Sequence, residues 1–455
     1  MNREIFREYD IRGIADRDLV PEAIVKLGKS IAVYMLREGR RRIAVGRDVR
    51  LSSKRLRDNL VEGLTSCGID VVDIGECPTP LLYYALYKLD VDGGVMITGS
   101  HNPAEYNGFK VSAGRASLHG EQIQDLLQIA EAGEFPAGSG RVETVSVRDR
   151  YIEEIADTFG TLNRPVKVVV DCGNGAASIL AVEVFERLGC EVVPLFCEVD
   201  GRFPNHHPDP TVEEFLQDLI RQVRESGAEL GIAFDGDGDR IGAVDHEGRI
   251  IWGDELMVLF SRSVLKDNPG ATIIGEVKCS KTLYDDITRR GGKAVMWKAG
   301  HSLIKAKMRE TGALLGGEMS GHMFFADRFY GFDDAIYAGA RLLEICAGAQ
   351  ESVAEMLSDL PKTFHTPEIR MDSPEPIKFE VVKRAQDFFS EHYDAVTIDG
   401  VRVLFDDGWG LVRASNTQPA LVLRFEAVTE QRLGEIRGLL EGKLEEITRE
   451  VSAGA

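Results

Sequence analysis

The sequence predicts an α/β protein of several domains that ends in an α+β unit. Three observations carry this. Short β-branched runs recur, and each stops at Gly, Asp or Asn: RRIAVGRD (41–48), VKVVVDCGNG (166–175), LGIAFDGDGD (230–239) and ATIIGEVK (271–278). Helical patterns lie between them, as at 181–189 and 284–292. Alternation of strand, turn and helix makes α/β units with mixed or parallel sheets. The pattern then changes near the end. Hairpin-like strands, VRVLFDDGWGLVRAS and LVLRFEA, precede one amphipathic helix with Leu433, Ile436, Leu440, Leu444 and Ile447 on one face.

A chain of 455 residues is too long for one ordinary core, so two to four domains are expected. The repeated strand style suggests related α/β domains. Segment 135–140, FPAGSG, has linker composition. Four prolines, Pro361, Pro367, Pro374 and Pro376, crowd a stretch incompatible with regular helix. A softer boundary is expected near the turn His246-Glu247-Gly248.

The formal net charge of -20 argues against nucleic acid as a partner. An anionic substrate would need a local cluster of Arg and Lys. The seven cysteines form no CxxC pair and read as free thiols in a reducing compartment. The N-terminus is charged from its third residue, and no apolar run approaches the ~20 residues of a membrane span. A soluble cytoplasmic protein without a membrane partner is the expectation.

Chemistry concentrates in four motifs. In Asp235-Gly236-Asp237-Gly238-Asp239-Arg240, three carboxylates follow a strand directly. Carboxylates about 4 Å apart repel by roughly 4 kcal/mol at an effective dielectric of 20, so a cation belongs among them. An EF-hand fails, because Arg240 and His246 occupy its Gly and Glu positions. Hard oxygens without His or Cys suit Mg²⁺, and Arg240 can neutralise a phosphate there. In TGSHNP, Thr98 and Asn102 replace the glycines of a nucleophile elbow around Ser100. Adjacent residues of an extended chain face opposite ways, which places His101 poorly as a base for Ser100. A serine handling phosphate beside the metal remains, and a phosphoserine can ligate a metal ion.

Arg413, Ser415, Asn416 and Thr417 in RASNTQP make a phosphate cradle, although such turns also occur as plain structure. In GEMSGH, Glu318 and Ser320 at i, i+2 can share a face toward sugar hydroxyls, a weak signal on its own.

Together, and in this order along the whole chain, the motifs resemble those of the α-D-phosphohexomutase family. The likeness is closest to its bacterial phosphomannomutase/phosphoglucomutase branch, as are WKAGHSLIK (297–305) and VKCSK (277–281). The resemblance implies three related α/β domains with mixed sheets (1–148, 149–250 and 251–362), a C-terminal α+β domain (363–455) and an active site in the central cleft. It implies a phosphorylated Ser100 whose phosphate meets Mg²⁺ held by Asp235, Asp237 and Asp239. Arg12, Lys110 and Arg240 should lie beside the reacting group. Glu318 and Ser320 should grip the sugar, with His301 and His322 lining its site. Arg413, Ser415, Asn416 and Thr417 should hold the idle phosphate, with Lys278 and Lys298 adding positive charge.

The implied reaction interconverts hexose 1-phosphate and hexose 6-phosphate, of mannose or glucose, through a bound hexose 1,6-bisphosphate. His101, Lys110 and His322 are alternative proton acceptors. The implied partners are small sugar phosphates, in a monomer or weak homo-oligomer. The alternatives are a phosphoglucosamine mutase (whose sugar loop usually has Gln where Met319 stands), a glucose-restricted phosphoglucomutase, a phosphatase, and a catalytically silent sugar-phosphate sensor.

Overall fold

The structure, a computed structural model, describes residues 1–415 and 419–454. Four sheets follow one another along the chain. The first contains β1 (Ile11–Ile14), β2 (Arg42–Arg47), β3 (Asp70–Glu76), β4 (Gly93–Ile97), β5 (Tyr106–Ala113), β6 (Ala116–Ser117) and β7 (Val142–Thr144). Its order is β1-β5-β4-β2-β3-β7, with β6 paired to β5. β4, β2, β3 and β7 run parallel, while β5 is antiparallel to both β4 and β1.

The sheet is covered on both faces, as its apolar strands require. Ile43 and Val45 pack with the helices Pro21–Arg37, Ser53–Ser66 and Glu121–Ala132. Ala44, between them in sequence, joins the opposite core with the helix Thr79–Lys88. This is the two-residue alternation of a strand.

The second sheet has β8 (Lys167–Asp171), β9 (Glu191–Leu195), β10 (Leu230–Phe234), β11 (Ile241–Asp245) and β12 (Ile250–Ile251), in the order β12-β11-β10-β8-β9. The turn at 246–248 joins two strands of this sheet, and the chain leaves the sheet only after Ile251. The third has β13 (Thr272–Glu276), β14 (Lys293–Trp297), β15 (Leu315–Gly317) and β16 (Met323–Phe325), in the order β14-β13-β15-β16. Both mix parallel and antiparallel pairs. One continuous core joins all three sheets, and the helix Ala335–Gly348 is buried within it.

The fourth sheet is antiparallel: β17 (Phe364–His365), β18 (Ile369–Asp372), β19 (Ala395–Val396), β20 (Val401–Phe405), β21 (Gly408–Ala414) and β22 (Ala420–Ala427). Ile436, Leu440, Leu444 and Ile447 of the helix Glu430–Gly454 pack on it, on the face the sequence marked. The helix Glu375–His392 went unread, and it begins inside the proline-rich stretch. Pro376 stands in its first turn, where a backbone N–H has no helical partner to lose. Segment 135–140 is no loose linker either. Gly138 N–H and Gly140 N–H donate to Ser66 O and Thr65 O, and β7 beyond it still belongs to the first sheet. Among the described residues, no helix is long and apolar enough to cross a membrane.

Candidate active site

The four motifs sit at strand ends or in the turns just beyond them, where open α/β sheets present loops to a ligand. β4 ends at Ile97 and runs into Ser100, whose φ is +48°. A non-glycine residue with positive φ is uncommon, and such strain concentrates at functional positions. The Ser100 hydroxyl donates to Asp235 Oδ2 at 2.9 Å and lies 3.1 Å from His101 Nδ1. The expectation that His101 faces away from Ser100 is therefore corrected. It assumed extended chain, and the left-handed turn brings the two side chains together.

Asp235 follows β10 directly. Gly236 lets this loop touch the serine loop, because a Cβ there would stand 2.5 Å from Ser100 O. Asp235, Asp237 and Asp239 are all fully buried. Lys110, on β5, reaches between them. Its Nζ donates to Asp237 Oδ2 at 2.9 Å and also to Asp239 Oδ2. The Thr79 hydroxyl is a second donor to Asp237 Oδ2, at 2.5 Å. Burial opposes the lysine charge, but Asp237 and Asp239 outweigh it and hold Lys110 well above the ordinary lysine range. Burial likewise opposes charge on Asp237, yet Lys110 keeps it below the usual carboxylate range. Asp235 is pushed well up by burial and by the charges of Asp237 and Asp239.

These residues fit a divalent cation. The three carboxylates can offer ligand atoms within 4.8 Å of one another. Asp237 Oδ1 and Asp239 Oδ1 are buried with no hydrogen-bond partner among the described residues. One ammonium against three carboxylates leaves excess negative charge for hard oxygen ligands to share with an ion.

A second buried cluster backs the first. Arg240 and His322 form an isolated β-bridge, and Arg240 Nε donates to His322 Nε2 at 3.0 Å. That bond places any proton of the neutral ring on Nδ1, which lies 3.4 Å from Asp333 Oδ2 and 3.6 Å from Asp239 Oδ1. Asp333 also takes Lys305 Nζ at 2.8 Å and lies 3.5 Å from His301 Nδ1. Burial lowers His101 and His301 well below the ordinary histidine value.

The sugar and phosphate motifs meet across the loop at 299–300. The Ser320 hydroxyl donates to Glu318 Oε2 at 2.9 Å, and Gly300 N–H donates to Glu318 Oε1 at 2.6 Å. Asp399 Oδ2 accepts from both Ala299 N–H and Arg413 Nε, each at 3.0 Å. The Tyr9 hydroxyl donates to Ala299 O at 2.9 Å, so the first and fourth sheets both send residues to this loop. Arg12 Nη1 holds Asn102 Oδ1 of the serine loop at 2.7 Å.

Most site residues read from the sequence thus converge. Ser415 is buried beside Arg413, while Asn416 and Thr417 lie outside the described residues. Lys278 is engaged by Glu368 at 3.1 Å. Lys298 is exposed, and its side chain makes no hydrogen bond or ion pair among the described residues. Sequence reasoning missed Asp48, Arg50, Thr79, Lys305, Asp333 and Asp399. The charged end of β2, in RRIAVGRD, was the one available signal for Asp48 and Arg50.

Comparisons with known proteins match the succession of the four sheets. Four models of phosphoglucomutase/phosphomannomutase match in succession. They are alpha/beta/alpha domain I at 3–137, domain II at 149–248, domain III at 252–364 and the C-terminal domain at 368–441. A phosphomannomutase/phosphoglucomutase of Pseudomonas aeruginosa is 50% identical over 97% of this chain and 96% of its own length. A phosphoglucomutase of Neisseria gonorrhoeae is 46% identical over 98% of this chain and 97% of its own. A crystal structure of a phosphoglucomutase/phosphomannomutase family protein from Burkholderia thailandensis superposes with a TM-score of 0.92 at 43% identity, covering 100% of this chain and 99% of that one. The chain belongs to the phosphoglucomutase/phosphomannomutase family.

Proposed function

We propose that this hexose phosphate mutase interconverts the 1- and 6-phosphates of both mannose and glucose, with Ser100 as phosphoryl carrier. The observation that carries the reading is the Ser100 hydroxyl in a left-handed turn, 2.9 Å from Asp235 Oδ2 of the carboxylate triad.

The free hydroxyl of the hexose monophosphate attacks the phosphorus of phospho-Ser100. The bond from phosphorus to Ser100 Oγ breaks as the new P–O bond forms, giving a hexose 1,6-bisphosphate. The bisphosphate turns end over end, and Ser100 Oγ attacks its other phosphorus as that phosphorus parts from the sugar oxygen, which takes a proton and leaves as the hexose monophosphate. Asp235, Asp237 and Asp239, with an oxygen of the phosphoserine, would hold Mg²⁺, which when bound neutralises charge on the transferring group. Lys110, Arg240 and Arg12 add fixed positive charge where phosphoryl transfer needs it. Lys110 is held charged and His322 Nε2 already accepts from Arg240, so the proton of the attacking hydroxyl goes to the His101 imidazole.

Glu318 and Ser320 accept from and donate to vicinal sugar hydroxyls. Arg413 and Ser415, with Asn416 and Thr417 of the same motif, hold the phosphate that is not reacting. Met319 offers no side-chain hydrogen bond that would select an amino group at C2. The Pseudomonas relative is named for both sugars and the Neisseria relative for glucose alone. A coupled assay with mannose, glucose and glucosamine phosphates tests the reading. Values of kcat/KM within about tenfold for mannose and glucose support it, since a neutral hydrogen bond is worth only about 0.5–1.5 kcal/mol. A preference for glucose beyond about a thousandfold overturns the dual specificity.

A further inference from the structure

We propose that Arg50 is a positioning residue for phosphoryl transfer, holding the backbone of the Ser100 loop in its left-handed turn while touching neither sugar nor phosphate. The inference rests on the reading of Ser100 as the phosphoryl carrier.

The Arg50 side chain is completely buried. Its Nη1 donates to Pro103 O at 2.5 Å and Tyr106 O at 3.0 Å. Its Nη2 donates to Ser100 O at 2.7 Å and Asn102 O at 2.5 Å. Four N–H groups of one guanidinium are thus spent on four carbonyls of residues 100–106. Asp48 holds the loop from its other side, because Oδ2 accepts Gly99 N–H at 3.1 Å and lies 3.2 Å from Arg50 Nε. The same carboxylate is braced by the Ser53 hydroxyl and by Arg50 N–H.

The fit around the guanidinium leaves no slack. Gly99 packs against it so closely that a Cβ would come within 2.6 Å of Cζ. The Phe203 ring, from the chain between β9 and β10, lies 5.1 Å from Cζ. That segment also reaches the loop through His207, which bonds to His101 O. Arg50 is therefore a bolt between the serine loop and the second sheet's connecting segment.

The sheet does not need Arg50, but the loop does. β2, β4 and β5 are joined by their own ladders. The loop between β4 and β5 has few backbone bonds of its own, chiefly Asn102 N–H to Gly99 O and Tyr106 N–H to Pro103 O. The buried charge is paired with Asp48, four of the five guanidinium N–H groups are hydrogen-bonded, and the planar fork can span four carbonyls where an ammonium cannot. Without the fork, Ser100 could leave its φ of +48° and its distance to Asp235. A displacement of 1 Å at a reacting atom costs about 100-fold in rate.

The test uses the full-length enzyme with Arg50→Lys and Arg50→Ala, measuring kcat, KM, thermal stability and phosphoserine content by intact mass. The expected result is KM within about twofold and kcat lower by about 100-fold in Arg50→Ala, from loss of alignment alone. Lysine should recover little of the loss, because charge without the fork does not hold four carbonyls. Free guanidinium ion at millimolar concentration should restore kcat to Arg50→Ala saturably and leave wild type unchanged. If Arg50→Ala does not fold, Arg50→Lys decides by the same split between kcat and KM. Wild-type kcat in either variant, or a rise in KM without a fall in kcat, overturns the assignment. The carrier reading is checked separately: wild type should show one added phosphate that Ser100→Ala lacks. Phosphorylated wild type beside fully active Arg50 variants defeats the positioning role alone, whereas an active Ser100→Ala defeats both.

Discussion

Lys110 Nζ and Asp237 Oδ2 form a buried ion pair at 2.9 Å that ties the first sheet to the loop following β10 of the second. The pair sits against two further carboxylates, Asp235 and Asp239, and Lys110 donates to the second of these as well. This relationship makes β5 and the carboxylate loop one electrostatic unit.

Removing Lys110 should therefore hurt twice. Breaking one side of a buried pair costs about 3–5 kcal/mol, because the other charge is left behind. Lys110→Met should show a lower Tm and a kcat reduced by several orders of magnitude. Its Tm should rise more than wild type's on adding Mg²⁺, since the ion then replaces the missing charge. Equal Mg²⁺ responses by scanning calorimetry would count against this coupling.

Asp237→Asn should lower kcat far more than it raises KM, because charge neutralisation matters most in the transition state. Chelation of wild-type enzyme should abolish turnover, and Mg²⁺ should restore it. Full activity after exhaustive chelation would remove the metal from the mechanism.

Acid should loosen the fourth sheet from the third. The charge of Lys278 holds Glu368 down to about 2, against an ordinary glutamate value of 4.5. Between those values the unfolded chain binds the proton more readily than the folded chain does. The pair's stability is thus present above about pH 4.5 and lost as pH falls toward 2, an effect of about 3 kcal/mol. Glu368→Gln should flatten the decline of Tm across this window. A wild-type slope in the variant would discard the pair as its source.

Glu318→Ala should lower kcat/KM for both sugars by about 10- to 200-fold, from a lost charge-assisted hydrogen bond worth roughly 1.5–3 kcal/mol. Loss confined to one sugar would mean that the carboxylate reads C2 instead of hydroxyls common to both.

Arg413→Ala should raise KM and release more hexose 1,6-bisphosphate into solution, because the idle phosphate is then held less tightly. Product analysis by phosphorus NMR reads the leak directly. No increase in free bisphosphate, with KM unchanged, would move the cradle elsewhere.

The class of fold, the strand ends and the three clustered carboxylates were legible because each is a property of neighbouring residues. A strand alternates every two residues, and DGDGDR is contiguous. The helix Glu375–His392 was not legible, because its prolines argued against helix and only their place in the first turn removes the objection. The contact between Ser100 and His101 was not legible, because it depends on a backbone φ of +48° that extended chain does not have.

The sequence alone thus determined which chemical groups are present and on which kind of element each stands. The tertiary structure decided which charges meet. Lys110 finds Asp237 across 127 positions, Lys305 finds Asp333 across 28, and Arg50 finds Ser100 across 50. Coulomb and hydrogen-bond energies depend on distance in space, and burial strips away the water that would otherwise screen them. Periodicity carries no information about such distances, so only folding could show that the Lys110 ammonium pairs with Asp237 and Asp239 and that the Arg50 guanidinium meets the carbonyls of the serine loop.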